Sequence, residues 1–189
     1  MNSKELAIIN NSLPAQVVGE RTRTMMRWLM NFSGDIGNRI PPAEINVENA
    51  IAEHRIVHLK ATFDLKEIVG LIAIQITDLQ DFLNIKERMN ARQILDTAEM
   101  IIEAKPEFSL TAIQDCFNRI KRAEYPYDGP LFNSLDGRKL MEALNKYDKI
   151  MVDHIYDTDE QKKINEKRSV VDHPDMFKRI IKKIQKDAD

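Results

Sequence analysis

The chain has 189 residues, of which 43% are hydrophobic and 31% charged, enough apolar material for a buried core and too much for a disordered chain. Lys and Arg number 28 against 30 Asp and Glu, so the net charge of −2 argues against a generally basic nucleic-acid binder. One cysteine, Cys116, excludes an internal disulfide and fits a reducing compartment. The start "MNSKELAIINNSL" lacks the basic, then apolar, order of a signal peptide, and no run is apolar enough for a membrane span. A soluble, cytoplasmic protein is the expectation.

Apolar residues recur at intervals of three and four along nearly the whole chain, which predicts an all-α fold. "SKELAIINNSL" forms a short helix that ends before Pro14, and Pro14 opens a second helix through Met30. Two glycines and two adjacent prolines in residues 31–44 break the chain. A helix is expected over 43–56, whereas "RIVHLKATF" is compatible with either helix or a short strand because of its β-branched residues.

Asp64 with Glu67 three residues later is a capping pair that starts the most apolar helix, 65–84. Leu65, Ile68, Val69, Ile72, Ile76, Leu79 and Leu83 make its stripe, and Leu71 with Ile74 widen it. Asn90 with Gln93 starts the next helix, which Pro106 stops after Ala104. Ser109 caps another, with Leu110, Ile113, Phe117 and Ile120 on one face and Cys116 as inert core. Ser134 or Asp136 begins a long helix toward Tyr156. Thr158 with Gln161 then reads as a fresh helix start, before an amphipathic tail containing Met176, Phe177, Ile180, Ile181 and Ile184. The division expected is an N-terminal helical region (1–62), a helical core (63–156) and a helical C-terminal extension (157–189).

No phosphate-cradling glycine loop, zinc-type cysteine pairs or nucleophile elbow appears, so no enzyme activity and no cofactor are expected. The nearest approach to a metal site is "EHRIVH", with His54 and His58 one turn apart, which needs a third ligand from elsewhere. The bland reading, two partly exposed histidines on an amphipathic helix, is preferred. The helix after Pro106 carries Gln114, Asn118, Arg119, Lys121 and Arg122 as exposed polar side chains. Of these, Arg119, Lys121 and Arg122 are candidate nucleic-acid contacts, against an ordinary solvated face that Asp115 and Glu124 favour.

Two features point to a protein partner. "YPYDGPLFNSLDGRKL" (125–140) concentrates prolines, glycines and tyrosines in one connector. Its candidate contacts are Tyr125, Tyr127 and Phe132, since rigid aromatic rings give area at small entropic cost. Residues 161–189 hold nine basic against five acidic residues, leaving about −6 on the rest of the chain. In that tail Phe177 and Ile181 supply apolar area, and Lys178, Lys182 and Lys183 supply attraction. Nucleic acid and self-association remain further partners open to such a tail.

Residues 68–155 resemble a family of small uncharacterised helical proteins of Bacteroidetes genomes, prophages and conjugative elements. The resemblance is carried by Met89 to Gln93 at a helix start, the Cys116–Phe117 pair, the Leu135–Asp136–Gly137 loop end and Tyr147 in the last helix. The chain departs from that family at Pro126, where a glycine is usual, near Ala143 and Leu144, where a tryptophan is frequent, and in its longer loop. The architecture is also similar to that of small phage proteins that load or restrain replicative helicases. What the resemblance implies is a non-enzymatic adaptor of a phage or mobile element, linked to DNA replication and acting through a protein partner. An inhibitor of a host defence system or enzyme by surface occlusion, and a small virion component, are the alternatives.

Overall fold

Sequence punctuation sets most helix boundaries. The computed structural model describes residues 15–124 and 134–171, and the expected helix over "SKELAIINNSL" lies outside them. The helices are α1 (Ala15–Asn31), α2 (Val47–Ala52), α3 (Ile56–Leu59), α4 (Leu65–Leu83), α5 (Ala91–Ala104), α6 (Leu110–Lys121) and α7 (Gly137–Val171). Among the described residues there is no sheet, only two isolated bridges, so the all-α expectation holds. None of these helices is long and apolar enough to cross a membrane.

The caps act where the sequence places them. Glu67 accepts from the Asp64 N–H at 3.0 Å, Asn90 and Gln93 cap one another, and Ser109 accepts from the Ala112 N–H at 3.1 Å. α4 ends at Asn84, which turns the chain in the left-handed region (φ 48°).

α4 packs against α5 and α6, and α2 against α6. Ile68, Leu71, Ile72, Ile76 and Leu79 of α4, Ile101 of α5, and Ile113 and Phe117 of α6 are fully buried. The stripe is narrower than the sequence suggested: Leu65 and Ile74 are exposed. Gln75 and Gln80 take part in its burial instead, donating to Leu110 O and accepting from the Met89 N–H respectively.

Residues 43–56 do not form one helix. The segment stops at Ala52, and Glu53 takes an extended conformation (ψ 159°) that frees its carboxylate for two distant donors. Those are Trp28 Nε1 at 3.2 Å and the Thr111 N–H in the first turn of α6 at 2.9 Å. A carboxylate at a helix N-terminus meets orphan amides and the positive dipole end, which offsets the lost turn. "RIVHLKATF" resolves as the single turn α3, whose first amides donate to Phe108 O (2.7 Å, from Ile56) and Pro106 O (2.9 Å, from Val57). The turn after Pro106 therefore caps α3, and the Ser109 hydroxyl donates to Ala50 O at 2.8 Å. These bonds hold residues 46–59 onto α6.

The chain forms two compact units, Met1–Asp148 and Lys149–Asp189. In the first, Gly137 opens α7 so close to α5 that a Cβ there would stand 2.8 Å from Thr97 Oγ1. In the second, the helix does not restart at Thr158, as the capping signal suggested. It runs on unbroken, and the Thr158 hydroxyl donates back to His154 O at 2.7 Å, the usual bond of a mid-helix threonine.

Candidate functional site

The residues expected to meet a partner, Tyr125, Tyr127 and Phe132 in the connector and Phe177, Lys178, Ile181, Lys182 and Lys183 in the tail, lie outside the described residues. What the structure describes of the connector is its exit. Leu135 is buried, Ser134 bridges to Glu87, and Lys139 Nζ donates to Ser134 O at 2.7 Å and to its hydroxyl at 2.9 Å.

The candidate nucleic-acid contacts of α6 stand beside carboxylates. Arg119 donates to Asp115 at 3.2 Å and to Glu124 at 3.0 Å. Arg122 also donates to Glu124, whose pKa is held below its ordinary value by that bond. Lys121 bonds Asp78 and covers the ring of Phe82, 5.2 Å from its centroid. A phosphate would have to compete with each of these carboxylates.

Gln114, expected on the exposed face, is buried, and so is Asp115. Every residue from Leu110 to Phe117 is buried, because α4 and α2 cover α6 from two sides. Asp115 is 2% exposed and accepts from the Tyr147 hydroxyl at 2.8 Å as well as from Arg119. Arg119 also lies over the Tyr147 ring, and Tyr147 meets Phe108 edge to face at 6.0 Å. Burial and the adjacent carboxylate push the phenol far above its ordinary pKa, so Tyr147 stays a proton donor. Lys105 closes the same corner, bonding Asp148 at 2.7 Å and covering Phe108. This network fixes the first three turns of α7 on α5 and α6. Its only sequence signal was the Asp115–Arg119 spacing of four.

His54 and His58 do not share a helix, because the break at Glu53 leaves His54 between α2 and α3. Their rings meet edge to face with centroids 6.4 Å apart. Among the described residues no three His, Cys, Asp or Glu side chains gather as a metal site would require. Cys116, the one cysteine of the chain, is buried.

The apolar surface that sequence reasoning missed is on α1. Met25 and Trp28 face the core, while Met26, Leu29 and Met30 are about half exposed. Met26 and Leu29 border a recess of about 220 Å³ whose other lining residues are Thr22, Met25, Phe63 and Glu67. The signal was the run "TMMRWLM", whose methionines and leucine are too many for one stripe. No protein-family model, curated protein or solved structure matches this chain.

Proposed function

We propose that the chain is a non-enzymatic adaptor of a phage or mobile element that works by protein–protein contact, with DNA replication, through loading or regulating a helicase, as its setting. The observation that supports contact is the outer face of α1, where Met26, Leu29 and Met30 stand open beside a small apolar recess. Methionine is unbranched and polarisable, so a Met-rich surface adapts to an incoming apolar helix at small packing cost. The recess has the size of one or two inserted side chains, the way helix-in-groove partners anchor. The connector tyrosines and the basic tail would add area and attraction. The phage or mobile-element setting rests on the resemblance of residues 68–155, and the replication link on the likeness of the architecture to phage proteins that load or restrain replicative helicases.

The test is affinity capture from cells bearing the element, with the wild-type chain and Leu29→Glu run in parallel. A replicative helicase or its loader, retained by wild type and lost by the variant, is the expected result. Capture of a restriction or other defence enzyme would replace the replication setting with occlusion, and capture of head or tail proteins would replace it with a virion role. Identical capture by both chains would remove α1 as the contact.

A further inference from the structure

From Lys149 on, α7 belongs to the second unit, and there its described side chains have no packed face. Every residue from Val152 to Asn165 is exposed, and the helix runs on to Val171, about 30 Å beyond Val152 at 1.5 Å per residue. Helices in water draw most of their stability from packing an apolar face rather than from propensity. This one has apolar side chains to pack. Val152, Ile155 and Tyr156, three and four positions apart, share one face and are all exposed.

The charges of this stretch are sorted along its length. Asp153, Asp157, Asp159 and Glu160 occupy 153–160 without a Lys or Arg, whereas Lys162, Lys163, Lys167 and Arg168 outnumber Glu166 in 161–168. By the helical repeat, Asp159 and Lys163 fall on the face that carries Val152, Ile155 and Tyr156. Two such helices laid parallel set acid on acid and base on base. Laid antiparallel and crossing at Gln161, they set Asp159 against Lys163 of the second copy and Glu160 against Lys162, each pair formed twice by the two-fold symmetry. Within one copy Lys162 Nζ lies 3.9 Å from Asp159 Oδ1 with both side chains mostly exposed, so neither charge is shielded from a second copy.

We propose that this helix binds a second copy of itself, antiparallel, through the face of Val152, Ile155, Tyr156, Asp159 and Lys163. The apolar side chains supply area, and the sorted charges set the direction of pairing. The face uses residues other than Met26 and Leu29 of α1. Pairing therefore gives the adaptor two copies of its α1 surface, and two linked contacts hold a partner of repeated subunits by avidity.

The experiment is sedimentation equilibrium of the full chain across concentration, at low and at high salt. At low salt the mass is expected to rise from that of one chain, 21.9 kDa, toward that of two, and high salt should move the midpoint to higher concentration. Lys162→Glu with Lys163→Glu should raise that midpoint by at least about tenfold and leave the melting temperature unchanged, because both positions are exposed. Adding Asp159→Lys and Glu160→Lys to the same chain reverses its polarity and should restore the wild-type midpoint, a rescue that a merely solvated helix does not give. Direction is read by disulfide cross-linking, with Cys116 buried and out of reach. A Tyr156→Cys chain and a Glu166→Cys chain should join in a mixture, and neither should join to itself. The mass of one chain at every concentration, association indifferent to the lysine pair, loss without rescue, or cross-linking of either chain to itself would overturn the proposal.

Discussion

Tyr147→Phe and Asp115→Ala, alone and together, probe the polar corner that fixes α7. Tyr147→Phe keeps the ring and its packing on Phe108 and removes only the hydroxyl that donates to Asp115 at 2.8 Å. A hydrogen bond to a buried ionised group contributes about 1.5–3 kcal/mol, so this is the expected loss. Asp115→Ala removes more. It strands the buried Tyr147 hydroxyl and takes one carboxylate from Arg119, which keeps Glu124. Breaking a buried pair from one side costs about 3–5 kcal/mol. In the double variant no hydroxyl is left to strand. The loss in the double variant should then fall short of the sum of the two single losses by about 1–2 kcal/mol, within the range for residues in one network. Urea unfolding read by helical circular dichroism gives each value, and Trp28, the one tryptophan and fully buried, supplies a second probe of the same transition. Losses that add within about 0.5 kcal/mol would refute the coupling and make Asp115 and Tyr147 independent occupants of the interior.

Three further outcomes follow from packing and titration. Ile72→Ala and Phe117→Ala, both at fully buried positions, should each lower stability by about 2–5 kcal/mol in urea unfolding. Gly137→Ala should lower the melting temperature, at a cost of about 1–3 kcal/mol, because its Cβ would stand 2.8 Å from Thr97 Oγ1 and 3.1 Å from Met100 Cε. His58 has a folded pKa below the unfolded value of 6.5, so the unfolded chain takes the proton first as the pH falls. The stability that neutral His58 secures is therefore present above that value and lost on acidification through the folded pKa. Melting curves of wild type and His58→Gln across that window should diverge, with the variant less sensitive to acid.

Local chemistry explains which parts of the fold were legible in the sequence. α4, α5 and α6 announce themselves through Glu67 under Asp64, the Asn90–Gln93 box and Ser109, because capping is a transaction between residues three apart. The errors came where distant partners overrode local pattern. Glu53 leaves its helix to serve Trp28 and Thr111, which are 25 and 58 positions away. Asp115 reads as a surface residue until Tyr147, 32 positions on, is placed against it. Thr158 has the composition of an N-cap, yet it turns its hydroxyl back into a continuing helix, as threonine can at either place. At the candidate surfaces, Arg119, Lys121 and Arg122 were visible together with Asp115 and Glu124 of the same stretch, but the partner of Lys121 on α4, Asp78, was not. The open methionines of α1 were visible as letters. Their exposure became apparent only once Met25 and Trp28 took the inward face.

The measurement that bears most directly on α1 as a partner surface is the affinity of the captured partner for purified wild type and for the Met26→Glu, Leu29→Glu double variant. Both positions are about half exposed, so the variant should melt within a few degrees of wild type. A buried apolar anchor replaced by a charge should then weaken binding by at least about 2 kcal/mol, roughly thirtyfold, mostly through faster dissociation. Unchanged affinity in a variant that melts like wild type would contradict the assignment and leave the face of α1 without a role in binding.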